Sequence, residues 1–189
     1  PYYKRHLVPF GEYLPYKAFF DNVLPFIKGM NLSLNELSPG EAPNLISTQY
    51  GLVGGLICFD SIFEKLALEA VNEGAGLIVL VTNDSWYKDS PAIYQHHAQA
   101  VFRAVENKRY LIRAANTGIS SFIDPWGNIK KSLGPLKEGI ITDKVSFVSD
   151  RTFYSYTGDY FVLFCLISIL LGSLAQFLKR RVNIISKDY

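Results

Sequence analysis

Gly54-Gly55-Leu56-Ile57-Cys58-Phe59-Asp60 sets a cysteine at the junction of two patterns. Residues 52–57 are apolar apart from the paired glycines, which predicts a short buried strand. Residues 61–72 carry apolar side chains at helical spacing, which predicts an amphipathic helix. Cys58 therefore stands where a strand ends and a helix is about to begin. Helix N-termini carry unpaired N–H groups and partial positive charge, and both favour a thiolate over a thiol. The same turn would aim backbone donors, the Phe59 N–H first among them, at an oxyanion forming beside the sulfur. Cysteine is also among the most buried residue types, so local position leaves simple packing open as its role.

Reading downstream, residues 77–81 (LIVLV) form a continuous apolar run, the mark of a strand covered on both faces. Strand, helix and strand in this order predict a right-handed parallel crossover. Residues 82–89 (TNDSWYKD) then form a polar loop at the carboxyl end of the second strand, on the same rim as Cys58. Trp86 is a candidate wall of a pocket there, or a plug for its own loop. Ser90 and Pro91 are a good N-cap and first turn for a helix ending near Arg109. Strands follow at 110–115 and 120–123, a turn at 124–128, and a last strand at 140–148. Upstream, residues 45–48 are expected to hairpin through 49–51 into the cysteine strand. Phe19, Phe20, Val23, Leu24 and Ile27 make a helical stripe within residues 16–30, fit either for the core or for a bilayer surface. Residues 31–43 read as a polar loop. In residues 1–15 the side chains able to do chemistry are Lys4 and Glu12, each of which is also ordinary as a solvated surface charge.

The length of 189 residues suits one domain with a sizeable core, and a net charge of +2 gives no argument for nucleic acid. Cys58 and Cys165 lie in different settings, so no disulfide is expected, and no cluster has metal-ligand spacing. His96 and His97 are adjacent and diverge on a helix; they read as helix-surface and site-wall residues. The charge is unevenly spread. Lys179, Arg180, Arg181 and Lys187 against Asp188 give the last eleven residues +3, leaving −1 for the preceding 178. Before that tail, residues 160–178 are nineteen without a charge, about 28 Å of helix at 1.5 Å each and close to a bilayer core. Tyr154, Tyr156 and Tyr160 at its start suit an interfacial belt. Positive-inside logic puts the tail in the cytoplasm and residues 1–157 across the membrane. The chain opens on Pro1, and an upstream segment is expected.

Several stretches together carry a resemblance: KRHLVPFGE (4–12), GLICFD (55–60), TNDSWY (82–87), FRAVENKRYLIRAANTGIS (102–120) and DPWG (124–127). They resemble the carbon–nitrogen hydrolase (nitrilase) superfamily and, with a terminal span attached, its membrane-bound branch, the apolipoprotein N-acyltransferases. That resemblance implies an α/β fold, the nitrilase-like α-β-β-α sandwich, here incomplete at its N-terminus over residues 1–157. A transmembrane helix at 158–178 and a basic cytoplasmic tail at 179–189 would follow. It implies a site on the outer side of the bacterial cytoplasmic membrane, a Glu-Lys-Cys triad and no cofactor. A phospholipid donor would acylate the cysteine, and a lipoprotein's diacylglyceryl-cysteine amine would accept the chain.

Carried over by position, Cys58 matches the nucleophile, Lys4 the triad lysine and Glu12 a supporting glutamate. Trp86 matches an aromatic of the substrate pocket, with Phe59 and Asp60 beside it. A thiolate forms a thioester that an amine can resolve. An ammonium beside the sulfur, with the Phe59 N–H, would stabilise the tetrahedral oxyanion. The family's general-base glutamate lies well upstream of the lysine, and only three residues precede Lys4, so no residue here takes that role. A separate N-terminal portion of the same enzyme is thus an expected partner. The elbow Cys58-Phe59-Asp60 replaces the acyltransferases' usual Cys-Tyr-Glu and is closer to soluble amidases. An anchored amidohydrolase, or a non-catalytic assembly partner, are the alternative readings.

Overall fold

A computed structural model describes residues 2–16, 37–43 and 45–185. Most of the apolar stripe at 16–30, part of the loop at 31–43 and the end of the basic tail lie outside the described residues. The chain divides into two units, Pro1–Thr152 and Phe153–Tyr189.

The first unit is built on one six-stranded mixed sheet in sequence order. Its strands are β1 (Ile46–Thr48), β2 (Gly51–Ile57), β3 (Leu77–Asn83), β4 (Tyr110–Asn116), β5 (Ser120–Ile123) and β6 (Ile129–Leu133). β1 and β2 form the expected hairpin, with Thr48 opposite Gly51. β2, β3 and β4 run parallel, linked by α1 (Glu64–Asn72) and α2 (Pro91–Asn107). β5 and β6 then turn back antiparallel. Leu56, Ile78, Leu80 and Leu111 on one sheet face meet Leu66, Ala70, Val71, Ala100 and Ala104 from the two helices, all buried.

Small side chains let these layers approach. A Cβ on Gly54 would lie 2.9 Å from the Ala70 Cβ, and one on Gly55 would lie 2.9 Å from the Tyr2 ring on the opposite face. The paired glycines therefore allow α1 on one side and the N-terminal segment on the other. Gly54→Ala in the full chain should destabilise the first unit by about 1–3 kcal/mol, because the contact is with a helix rather than a flexible side-chain tip. The measurement is the thermal midpoint by tryptophan fluorescence; an unchanged midpoint would mean that α1 shifts aside freely.

The fold departs from two of these expectations, at the start of α1 and at residues 140–148. Among the described residues there is one sheet with helices on one face, so the α-β-β-α arrangement is represented by one of its two α/β halves. On the other face Val81 is 46% exposed. The helix expected from residue 61 is preceded by a 3-10 turn, Cys58–Ile62, and the extended Phe63, so Cys58 does not sit at an α-helix N-terminus. Residues 140–148 form no strand, and the sheet ends on β6, whose exposed Ile-Lys-Lys-Ser pattern lacks a buried face. α2 closes at Asn107, close to the expected Arg109, where Lys108 turns left-handed (φ 50°).

The second unit holds α3 (Phe153–Thr157) and α4 (Tyr160–Ile185). Within α4, Tyr160–Phe177 is long and apolar enough to cross a membrane, and none of that stretch is buried. Phe161, Phe164, Leu170 and Leu171 are each more than 60% exposed.

Candidate active site

Cys58 adopts a left-handed backbone, φ 51°, at the end of β2. A left-handed conformation is costly for any residue with a Cβ and persists only where its surroundings enforce it. Asp60 is the first enforcer. Its fully buried carboxylate accepts from the Ile57 N–H at 3.0 Å, closing the turn around Cys58. It also accepts from the Tyr2 hydroxyl at 3.0 Å, the Arg5 N–H at 3.2 Å and the His6 N–H at 2.8 Å. Burial, then the neighbouring Asp60, pushes the Tyr2 phenol above its ordinary value. Asp60 thus lies beneath the pocket rather than in its wall, and it ties the segment bearing Lys4 to the cysteine turn.

Lys4 and Glu12 form one unit. The ammonium donates to both Glu12 oxygens at 2.7 and 2.6 Å, and Glu12 also accepts from the Val8 N–H at 2.8 Å. The side chains are 11% and 24% exposed, which shields the pair more than a surface salt bridge is shielded. One pocket is lined by Cys58 and Phe59 from the turn, by Val8, Gly11 and Glu12 from the N-terminal segment, and by Asn83, Trp86 and Tyr87 from the loop after β3. Of the residues singled out in the sequence, Cys58, Phe59, Glu12 and Trp86 reach this lining. Lys4 joins it through Glu12, and Asp60 does not reach it. Trp86 is 74% exposed, a wall open to the outside.

Sequence reasoning missed the layer under the cysteine. His96 and His97 are 3% and 6% exposed, not helix-surface residues. Neighbours on a helix diverge by about 100°, yet both point inward, because α2 packs on the cysteine turn as well as on the sheet. His96 Nδ1 lies 2.9 Å from Asp84 Oδ1, and its Nε2 lies 3.1 Å from Ser61 Oγ and 3.2 Å from the Cys58 carbonyl oxygen. Arg113 donates to Asp84 Oδ2 at 2.6 Å, with both side chains fully buried. Burial would push the Asp84 carboxyl up, but the bond from His96 and the Arg113 charge outweigh it and hold the group below its usual range. Burial, then the proximity of Cys58 and Asp84, pushes the Tyr87 phenol up.

His97 instead meets Ser121 Oγ at 2.8 Å. Burial, and next the charge of Arg113, lowers its pKa to about 4 from an ordinary 6.5. As pH falls through that interval the unfolded chain takes a proton that the folded chain refuses, so stability falls with pH. The effect is absent above pH 6.5 and complete below about 4. In full-length His97→Gln, the loss of stability between pH 7 and 4 should shrink by about 3 kcal/mol, from 1.36 kcal/mol per pKa unit. Parallel stability–pH curves for the two proteins would refute this.

The apolipoprotein N-acyltransferase of Geobacter metallireducens is 37% identical over 180 residues, covering 95% of this chain and 34% of that protein. Apolipoprotein N-acyltransferase 1 of Treponema denticola is 36% identical over 173 residues, covering 90% of this chain and 31% of that protein. The chain spans about a third of the length of these curated relatives. A carbon-nitrogen hydrolase from Helicobacter pylori G27 shares the fold with a TM-score of 0.51 at 15% identity, covering 55% of this chain and 44% of that one. Residues 1–151, the unit that carries Cys58, Lys4 and Glu12, match the family described as carbon-nitrogen hydrolase, and the chain belongs to that family.

Proposed function

We propose that this chain is the cysteine-bearing portion of an N-acyltransferase that moves a fatty acyl chain from phospholipid to the diacylglyceryl-cysteine amine of lipoproteins. The observation that carries the reading is a cysteine in a forced left-handed turn, facing a pocket with a shielded Lys4–Glu12 pair on its other side. In this reading the Cys58 thiolate attacks the ester carbonyl of a phospholipid. The C–S bond forms, the carbonyl becomes an oxyanion, and the ester C–O bond breaks to release a lysophospholipid alkoxide that takes up a proton. The acceptor amine then attacks the thioester, the C–N bond forms, the C–S bond breaks and the amine loses a proton. Lys4, held by Glu12, and the Phe59 N–H stabilise both oxyanions. Trp86 walls the opening through which the chain enters. The helix Tyr160–Phe177 is the membrane span, with the site outside the bacterial cytoplasmic membrane and the basic tail in the cytoplasm.

The test is mass spectrometry of the full-length protein from phospholipid proteoliposomes. The Cys58 peptide should carry one acyl chain, removed by neutral hydroxylamine as a thioester is. No adduct with donor in excess would overturn the reading. Cleavage of small amides without phospholipid would favour the anchored amidohydrolase, which the Phe59-Asp60 pair suits.

A further inference from the structure

We propose that His96 is a positioning residue for this reaction: with Ser61, it holds the Cys58 carbonyl inward and so turns the Phe59 N–H toward the pocket as an oxyanion donor. This rests on the reading of Cys58 as an acyl-accepting nucleophile. Across a trans peptide the C=O of one residue and the N–H of the next point in opposite directions. Among the described residues there is no cis peptide bond, so whatever fixes the Cys58 carbonyl also fixes the Phe59 N–H.

Two side chains fix it. Ser61 Oγ donates to the Cys58 carbonyl at 2.9 Å, and His96 Nε2 lies 3.2 Å from the same oxygen. His96 is itself held from behind, its Nδ1 donating to Asp84 Oδ1 at 2.9 Å. His96 Nε2 also lies 3.1 Å from Ser61 Oγ, so the ring, the hydroxyl and the Cys58 carbonyl oxygen meet at one point. Asp84 is fixed in turn by Thr82 Oγ1 at 2.9 Å and by Arg113 at 2.6 Å. The Tyr87 ring, which lines the pocket, packs edge-on against His96 with centroids 5.6 Å apart. The carbonyl is thus drawn toward the buried side, where His96 is 3% exposed, while Phe59 and Cys58 line the open pocket. The N–H groups that open a helical turn have no partner within it, so the Phe59 N–H is free of the turn's own ladder. The left-handed φ of Cys58 is the backbone form this double tether imposes.

The test separates two reactions of one sulfur in the full-length protein in detergent micelles free of phospholipid. Acylation by p-nitrophenyl acetate passes through a tetrahedral oxyanion: the C–S bond forms and p-nitrophenolate leaves. Alkylation by iodoacetamide displaces iodide and makes no oxyanion. His96→Leu should slow acylation by about 10²–10³-fold, the usual loss for one oxyanion donor. Alkylation should stay within about threefold of wild type. His96→Gln, which keeps an N–H donor, should recover part of the acylation rate. Ser61→Ala should show the same selective loss in smaller measure, and it carries the test if His96→Leu does not fold. Equal losses in both reactions would indicate a structural role only, and acylation within threefold of wild type would refute the proposal outright. Since the ester probe needs no phospholipid, a wild-type protein acylated by it but not by phospholipid would fail the transferase reading and leave this one standing.

Discussion

Cys58→Ala should abolish acyl transfer to a lipoprotein acceptor, and Lys4→Met should lower it about 10²–10³-fold. The first follows because every bond change runs through the sulfur. The second follows from what Lys4 is and where it sits. Its ammonium contacts both oxygens of Glu12, its side chain is 11% exposed, and Glu12 belongs to the pocket that Cys58 lines. Methionine keeps most of the stem's volume while removing the charge, and Glu12 retains the Val8 N–H as a partner. The turn over residues 8–13 has its own backbone bonds, Glu12 N–H to Val8 O and Phe10 N–H to Tyr13 O, both 2.8 Å, so the fold should persist. The two substitutions should not add. A double variant should be no slower than Cys58→Ala alone, because a stabiliser of an oxyanion has nothing to act on once the nucleophile is gone. The measurement is the initial rate of N-acylation by full-length protein in proteoliposomes. A Cys58→Ala variant keeping a tenth of the rate would refute the nucleophile. Lys4→Met within threefold of wild type would reduce Lys4–Glu12 to an ordinary ion pair.

What could be read beforehand was whatever depends on period and punctuation. The hairpin into β2, the parallel crossover to β3 and the helix opening at Ser90-Pro91 each follow from runs of apolar residues closed by turn residues. β6 was illegible because an exposed edge strand needs no apolar face, and Ile129–Leu133 has none. The lining residues stood on loops next to strand ends, where α/β sheets gather ligands, and resemblance supplied their roles. Asp60 was misplaced for a reason of geometry. Two residues past a cysteine on a smooth helix it would share the rim, but the left-handed step at Cys58 folds the chain so that Asp60 points back under Ile57. The buried polar layer did leave a signal. β4 alternates with Leu111 and Arg113 on the helix-covered face, and a charge there demands a buried counter-charge. Asp84, in the loop after the neighbouring strand, was the available carboxylate. Reading His96 and His97 as helix-surface and site-wall residues because they diverge overlooked that α2 is covered over more than one stripe.

That layer sets the largest expected effect on stability. Asp84→Ala should destabilise the first unit by about 3–5 kcal/mol, the usual penalty for removing one member of a buried ion pair. Arg113 would keep its bond to the Ile119 carbonyl at 3.0 Å, but its guanidinium would face a void with no opposing charge. One of its nitrogens, Nη1, already has no partner, so the residue has little left to satisfy it. Thr82 and His96 would lose the same acceptor. For a unit of this size the midpoint should fall by roughly 10 °C. Trp86 and Trp126 are the chain's two tryptophans and both belong to Pro1–Thr152, so intrinsic fluorescence of the full-length protein reports this unit rather than the apolar helix. The double variant Asp84→Leu/Arg113→Met should recover much of the loss, because a packed apolar pair carries no desolvation penalty. It should nonetheless remain slow in acylation, since His96 would have lost the carboxylate that aligns it on the Cys58 carbonyl. Stability restored without activity is the signature of a pair kept for the geometry of the cysteine turn. A double variant as active as wild type would leave Asp84 and Arg113 as packing alone.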